Sequence, residues 1–185
     1  MMRLVVPARE YLPGYSAALE QNWSPDNMRP EAAREELAKI ERDADSFLAL
    51  QDDRDARGGP VTLQDGSQVP RLPGFRRWLW DGAFCGVIGF RWQKGTAELP
   101  AHVLGHIGYS VVPWKQGRGY ATRALALLLD EIRPLGLPYV ELTTDPENIA
   151  SQRVILANGG AMIERFQKAA AYGHAQSLRW RIALT

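Results

Sequence analysis

The fold is decided by a short run of sequence, Gln116-Gly117-Arg118-Gly119-Tyr120-Ala121, which lies between a strand pattern and a helix pattern. Before the run, apolar residues alternate at positions 107, 109 and 111, as they do on one face of a strand. After it, apolar residues recur three and four positions apart from 121 to 132, which is one face of a helix. The run therefore predicts a glycine-containing turn that leads from a strand into a helix.

Such a turn is suited to binding an anion. The first N–H groups of a helix have no partner inside it, and the helix dipole is positive at the same end. Glycine at 117 and 119 lets a ligand approach the backbone closely, so a phosphate is the natural occupant. No Lys-Ser or Lys-Thr follows, as in a P-loop, and position 122 is Thr, unlike the dinucleotide fingerprint. Taken alone, the turn is equally consistent with a connection that binds nothing.

Two motifs in the correct order resemble those of the GCN5-related N-acetyltransferases, the GNAT family. Its motif Q/R-x-x-G-x-G/A is matched by Gln116, Gly119 and Ala121, and its second motif by Asn148-Ile149-Ala150-Ser151, which leads to Asn158-Gly159-Gly160. The stretch Ile107-Gly108-Tyr109-Ser110-Val111 resembles the family's fourth strand. The resemblance covers roughly residues 84 to 166, and the first 75 residues match only loosely.

The composition agrees with one enzyme domain over residues 1–185. Because 22 basic and 21 acidic residues leave a net charge of +1, we expect neither nucleic acid nor an anionic membrane as a partner. No apolar run approaches the length of a membrane span, and the first residues do not form a signal peptide. Cys85 is the only cysteine and can form no internal disulfide, which fits a reducing cytoplasm. We expect it to be a small buried apolar residue.

The order of elements predicts an α+β (mixed α/β) fold. The resemblance implies the GNAT fold, with a central mixed, mostly antiparallel sheet flanked by helices. Strand 139–144 follows a helix and is expected to pair in parallel, and 47–50 is either a short strand or a helix end. The other predicted elements are strand 3–6, helices 9–22 and 30–42, loop 52–73, a hairpin of 75–80 with 84–92 about Asp81-Gly82, strand 106–112, helix 149–157, and a hairpin of 161–167 with 176–182.

The resemblance implies that the chain binds acetyl-CoA. The turn would hold the pyrophosphate mainly by backbone N–H groups, with Lys115 and Arg118 either adding positive charge or simply solvated. The pantetheine arm would pair with the fourth strand, in a slot where strands 106–112 and 139–144 splay apart. Asn148 would flank the arm or serve as a helix N-cap, or both. The cofactor-binding residues so predicted are Val111, Val112, Gln116, Gly117, Arg118, Gly119, Tyr120, Ala121, Thr122, Asn148 and Ser151.

The resemblance also implies direct attack by a primary amine on the thioester, with a fourth-strand N–H as oxyanion donor. Many family members protonate the thiolate with a tyrosine seven residues after the motif asparagine, where this chain has Ile155, so that role is not carried over. The alternatives for protonating the thiolate are solvent and, as the less expected candidate, Tyr172. His106 is the candidate base, since an ordinary histidine pKa suits proton abstraction. The alternatives are a structural histidine, or Glu98 or Glu141 as the base.

The acceptor is the least defined part. We expect a small-molecule or peptide amine to lie near residues 23–30, loop 52–73 and loop 167–175, where the tryptophans are either an aromatic wall or core. The three histidines and Cys85 lie at no zinc spacing, so no metal is expected. A homodimer is possible. Two other functions remain open: a non-catalytic acyl-CoA-binding or regulatory homologue, and an unrelated nucleotide-binding α/β protein.

Overall fold

The computed structural model describes residues Met1 to Thr185, in which five helices and ten strands alternate. The helices are α1 (Leu12–Glu20), α2 (Ala32–Arg42), α3 (Ala44–Ala49), α4 (Tyr120–Ile132) and α5 (Ile149–Ala157). The strands are β1 (Arg3–Val5), β2 (Asp52–Asp53), β3 (Val61–Thr62), β4 (Gln68–Val69), β5 (Gly74–Trp80), β6 (Phe84–Arg91), β7 (Ile107–Val111), β8 (Tyr139–Thr144), β9 (Ala161–Gln167) and β10 (Gln176–Ala183). None of the helices is both long and apolar enough to span a membrane.

The strands form two main antiparallel sheets. One has the order β1-β5-β6-β7, with β2 also paired to β5, and the other has the order β8-β10-β9. The predicted α+β class, with antiparallel sheet flanked by helices, is confirmed. The expected parallel pairing of 139–144 is wrong, because β8 pairs antiparallel with β10 and forms no ladder with β7.

Strands β7 and β8 meet only at one end. The His106 N–H donates to the Glu141 carbonyl at 2.8 Å, and the Glu141 N–H donates to His106 Nδ1 at 2.9 Å. Beyond this seam no backbone bond joins the two strands. The edge of β7 that faces β8 is therefore left uncovered, as the resemblance implied.

Apolar side chains pack on one face of both main sheets and on the other face of the β1-β5-β6-β7 sheet. Helices α4 and α5 cover one face, where the predicted stripe of α4 is buried against residues such as Ile88 and Leu142. Helix α1 and its neighbours cover the other face, where the Tyr15 ring stacks on Trp78 with ring centroids 4.4 Å apart. Trp23, Trp78 and Trp92 are buried, which favours the core interpretation of the tryptophans over an aromatic wall.

The N-terminal elements differ locally from the prediction. Helix α1 begins at Leu12 rather than near residue 9, with Pro13 in its first turn, where no N–H donor is needed. The segment 47–50 belongs mostly to helix α3, whose N-cap Asp43 accepts the Ser46 N–H at 3.0 Å. Loop 52–73 contains β2 and the small hairpin of β3 and β4, which turns at Asp65-Gly66.

Candidate cofactor and acceptor sites

The turn between β7 and α4 presents a row of free donors. Gly117 and Gly119 have φ of 74° and 73°, in the left-handed region that glycine adopts without strain. The first helical bond runs from the Arg123 N–H to the Gly119 carbonyl, at 3.1 Å. The six preceding N–H groups, from Gly117 to Thr122, donate to no acceptor in the chain. These donors lie at the positive end of a 13-residue helix, which is the arrangement that binds phosphate.

Asp81, in the turn between β5 and β6, binds one residue just before this run and one residue within it. Its carboxylate accepts Lys115 Nζ at 2.8 and 3.0 Å and the Tyr120 hydroxyl at 2.6 Å. Burial opposes ionisation, but these hydrogen bonds hold the pKa of Asp81 well below its usual range. The charge of Lys115 is thus already paired. Arg118, which is exposed and has no ion pair, is the cation left beside the free donors.

The uncovered edge of β7 offers backbone groups to a ligand. The Tyr109 carbonyl accepts Asn27 Nδ2 at 2.9 Å, and the Val111 carbonyl accepts Gln116 Nε2 at 3.2 Å. Both carbonyls therefore point away from β6. An extended, amide-containing ligand can bind such an edge as an added strand does. Gln116, which was predicted from its motif, thus contacts the predicted Val111 directly.

Val112 is placed differently from Val111. Its N–H donates to the Cys85 carbonyl at 3.0 Å, and its carbonyl accepts the Lys115 N–H at 2.9 Å. The residue has no exposed surface. Because both backbone groups are satisfied inside the protein, the geometry weighs against the predicted contact between Val112 and the pantetheine arm.

The N-terminal end of helix α5 lies next to β7. Asn148 Oδ1 accepts the Ser151 N–H at 3.1 Å, so Asn148 is the N-cap of the helix. The Ser151 and Tyr109 hydroxyls share a hydrogen bond of 2.7 Å, which ties α5 to β7. Ile155 is fully buried, and a Cβ added at Gly160 would lie 2.3 Å from its Cγ2 atom. Position 155 is therefore part of the core.

His106 lies in the seam between the two sheets. The residue has no exposed surface, Nδ1 accepts the Glu141 N–H, and Nε2 is buried without a partner. Burial lowers its pKa to about 4, against an opposing effect of the Glu141 charge. A general base must reach the proton that it removes. The catalytic role of His106 stays a prediction, and this geometry weighs against it.

The other candidate groups lie around a cavity of about 550 Å³ on the face of the β8-β10-β9 sheet that points away from α4. Glu141 lines it and pairs with Arg179 at 3.2 Å and Arg181 at 2.6 Å, so its carboxylate is already engaged. Glu98 also lines this cavity and is exposed. The Tyr172 hydroxyl donates to the His102 carbonyl at 2.7 Å, which fixes loop 167–175 beside this wall.

One part of the site escaped the sequence analysis. Strands β6 and β7 present Gly89, Arg91, Gly108 and Ser110 on the face opposite α4. Gly108 is exposed, and a Cβ built on it would meet nothing within 4 Å, so the space above it is open. No motif marks Arg91. The only pattern that includes Arg91 is its alternation with Val87 and Gly89, which is typical of any strand and indicates no function.

The family model described as the acetyltransferase (GNAT) domain matches residues 11–161 of this chain. The chain belongs to the GNAT family. Membership removes the alternative of an unrelated nucleotide-binding protein. No curated protein matches the sequence. The structure gathers no group of three or more His, Cys, Asp or Glu side chains that would hold a metal, and the expectation of no metal stays a prediction.

Several solved GNAT structures share the fold. RimJ from Mycobacterium smegmatis, in complex with CoA-disulfide, is 19% identical with a TM-score of 0.66 over 98% of this chain and 81% of that one. RimL, a ribosomal alpha-N-protein acetyltransferase in complex with coenzyme A, is 14% identical with a TM-score of 0.65 over 98% and 93%. The microcin C7 self-immunity acetyltransferase MccE, in complex with acetyl-CoA and AMP, is 15% identical with a TM-score of 0.61 over 98% and 92%. At these identities the likeness shows the fold alone.

Proposed function

We propose that this GNAT protein transfers the acetyl group of acetyl-CoA to a primary amine, carried by a small molecule or a protein N-terminus. The observation that supports the proposal is the row of six free N–H groups beside the uncovered edge of β7. The row suits a pyrophosphate, and the strand edge suits the amides of a pantetheine arm. Complexes of RimJ, RimL and MccE with CoA or acetyl-CoA support this choice of cofactor.

In the proposed reaction the amine nitrogen attacks the thioester carbon, and the carbonyl oxygen becomes an oxyanion. A backbone N–H on the uncovered edge of β7, from Tyr109 or Val111, is suited to stabilise that charge. The tetrahedral intermediate collapses as the carbon–sulfur bond breaks. The thiolate takes a proton from solvent, since position 155 offers no hydroxyl, and the amine nitrogen loses its own proton to water.

The proton on the amine favours one class of acceptor. Neutralising a lysine-like amine at pH 7 costs about 4.6 kcal/mol, whereas an α-amine costs about 1 kcal/mol. With His106 sealed in the seam and Glu141 paired with two arginines, neither is free to lower this cost. We therefore propose that α-amines are better acceptors than lysine side chains. We further propose that residues 1–185 act as one domain, in the cytoplasm.

The test combines binding, turnover and product analysis. Calorimetry measures the Kd for acetyl-CoA, and release of free thiol is followed against a panel of amino acids, small amines and peptides. Mass spectrometry then locates the added acetyl group on nitrogen. We expect acetyl-CoA binding and amine-dependent thiol release that is faster for α-amines. Failure to bind acetyl-CoA would contradict the proposal at its base.

A second candidate function is that of a non-catalytic acyl-CoA-binding or regulatory homologue. The buried Ile155, in place of the usual tyrosine, favours this alternative. It predicts that acetyl-CoA binds and that no amine in the panel accelerates thiol release. The same assay therefore separates the two functions.

A further inference from the structure

Arg91 lies at the edge of the open space on the face of the sheet opposite α4. It is the last residue of β6, and its N–H donates to the His106 carbonyl at 2.9 Å. Gly89, two residues earlier on the same face, pairs across the sheet with Gly108. Because neither glycine carries a side chain, nothing in these two strands fills the space beside the Arg91 guanidinium.

The Arg91 guanidinium differs from other arginines on this face because it has no partner. Arg76 pairs with Glu36 at 3.1 Å, and both Arg179 and Arg181 pair with Glu141. The Arg91 side chain makes no hydrogen bond and no ion pair, and it is exposed. It is therefore a cation whose five donors remain available.

Two other segments of the chain lie near Arg91. Burial on one side lowers the pKa of Arg91, and the nearby Tyr172 and Asp26 oppose this shift. These two neighbours belong to loop 167–175 and to the segment between α1 and α2, which are far apart in the chain. Asn27, the next residue of that segment, contacts the Tyr109 carbonyl on the edge assigned to the cofactor. Arg91 therefore lies on the same sheet face as Gly108, beside the segment that contacts the edge of β7.

We propose that Arg91 binds an oxyanion, a carboxylate or a phosphate, carried by the acceptor amine. The planar guanidinium pairs with either group through two parallel hydrogen bonds. The proposed substrate class is therefore an amine with an acidic group, such as an amino acid or an acidic peptide N-terminus. This inference rests on the proposed function and narrows it.

The first test compares matched acceptors that differ only in the anion. Suitable pairs are phenylalanine and phenethylamine, a peptide with Glu or Gln at its second position, and a peptide with phosphoserine or serine there. We expect a kcat/KM about tenfold or more higher for the acidic member of at least one pair, and the pair identifies the anion. Arg91→Gln should erase the preference by raising KM with little change in kcat. Arg91→Lys should keep part of it, because a lysine supplies charge without the planar fork.

Arg34→Gln is the matched control, because Arg34 lies exposed on α2 with no ion pair. It should leave the preference unchanged. Acetyl-CoA affinity should be the same in wild type and all three variants, since the turn that holds the cofactor is untouched. Equal preference for acidic amines in wild type and Arg91→Gln would overturn the inference, as would equal rates for every matched pair in the wild type.

A second measurement keeps the inference testable even without turnover. Calorimetry of the CoA-saturated protein with phenylpropionate, phenyl phosphate and the uncharged phenylpropanol measures anion binding directly. We expect one of the two anions to bind at least about tenfold more weakly to Arg91→Gln than to wild type, with phenylpropanol unaffected. If acetyl-CoA binds but no amine is acetylated, the proposed function fails while this titration still decides the role of Arg91. Anion binding that is absent, or unchanged by the substitution, would refute that role.

Discussion

The two sides of β7 are built in different ways. On the side proposed for the cofactor, the free donors come from the single continuous segment Gly117–Thr122, and all six are backbone N–H groups. On the side proposed for the acceptor, Asp26, Arg91, Gly108 and Tyr172 come from four separate segments, and the proposed recognition depends on one side chain, that of Arg91. Backbone recognition depends on conformation, whereas side-chain recognition depends on identity. Changes of backbone conformation should therefore abolish cofactor binding, while side-chain changes should alter the choice of acceptor.

The largest expected effect on ligand binding comes from changing the backbone at Gly119. At a φ of 73° a valine is strained, and its branched side chain would stand where the phosphate approaches. We expect Gly119→Val to weaken acetyl-CoA binding by roughly 100-fold, about 2.7 kcal/mol, as measured by calorimetry on folded protein. Gly136→Val is the control, because Gly136 has the same φ of 73° and open space around it but lies after α4.

The control should lose stability to a similar extent and keep its affinity for acetyl-CoA. If Gly119→Val binds acetyl-CoA as tightly as wild type, the cofactor is not held by this turn. If both variants lose binding equally, strain in the fold, and not the site, is responsible. Either outcome would remove the contrast between the two sides of β7.

Substitution of His106 should lower the free energy of unfolding, with little effect on kcat/KM. His106→Ala leaves the buried Glu141 N–H without its acceptor and opens a cavity, so we expect a loss of about 2 to 4 kcal/mol in the free energy of unfolding. His106→Asn keeps an acceptor close to the position of Nδ1 and should lose less. Urea titration measures both variants.

Activity separates the structural role of His106 from the catalytic one. If the ring only joins the sheets, the folded His106→Asn variant should keep its kcat/KM and the shape of its pH profile. A loss of about 100-fold at preserved stability, with the disappearance of an ascending limb, would instead restore His106 as the general base.

The pH dependence of stability gives a further measure of the same residue. Burial lowers the pKa of folded His106 to about 4, against about 6.5 in the unfolded chain. Between these values the unfolded chain binds the extra proton, so stability should fall as the pH drops from about 6.5 to about 4. The expected contribution is up to roughly 3 kcal/mol, and it should be absent in both variants. A wild-type curve that stays parallel to both variants would show that His106 titrates normally.

The difference between one continuous segment and a region assembled from separate segments also explains which features could be predicted from the sequence. The turn at 116–122 could be predicted because its glycines, the helix stripe and the flanking strand are neighbours in the chain. The surroundings of Val112 and His106 could not be predicted, because each residue lies one step outside β7, where backbone direction and burial depend on the contacts with Cys85 and Glu141. The roles expected of these two residues stay predictions. Arg91 was invisible, since its environment is assembled from segments that only the fold brings together.

The smallest expected effect is that of the free cation on the turn. Arg118 is exposed and unpaired by any carboxylate, so Arg118→Met should weaken acetyl-CoA binding by about threefold to tenfold at low salt and less at high salt. Arg34→Met is the matched control and should have no effect. A loss as large as that of Gly119→Val would mean that a side chain, and not the backbone, dominates cofactor binding.

The most direct test of the proposed phosphate site is an NMR titration that follows the backbone amides of Gly117 to Thr122. Coenzyme A, which carries the pyrophosphate, should shift these six resonances strongly, while pantetheine, which lacks it, should shift mainly the amides of Tyr109 and Val111. The resonances of α2, on the far side of the sheet, should stay in place with both ligands. If coenzyme A binds and the resonances of Gly117 to Thr122 do not shift, the pyrophosphate lies elsewhere and this turn is not the phosphate site.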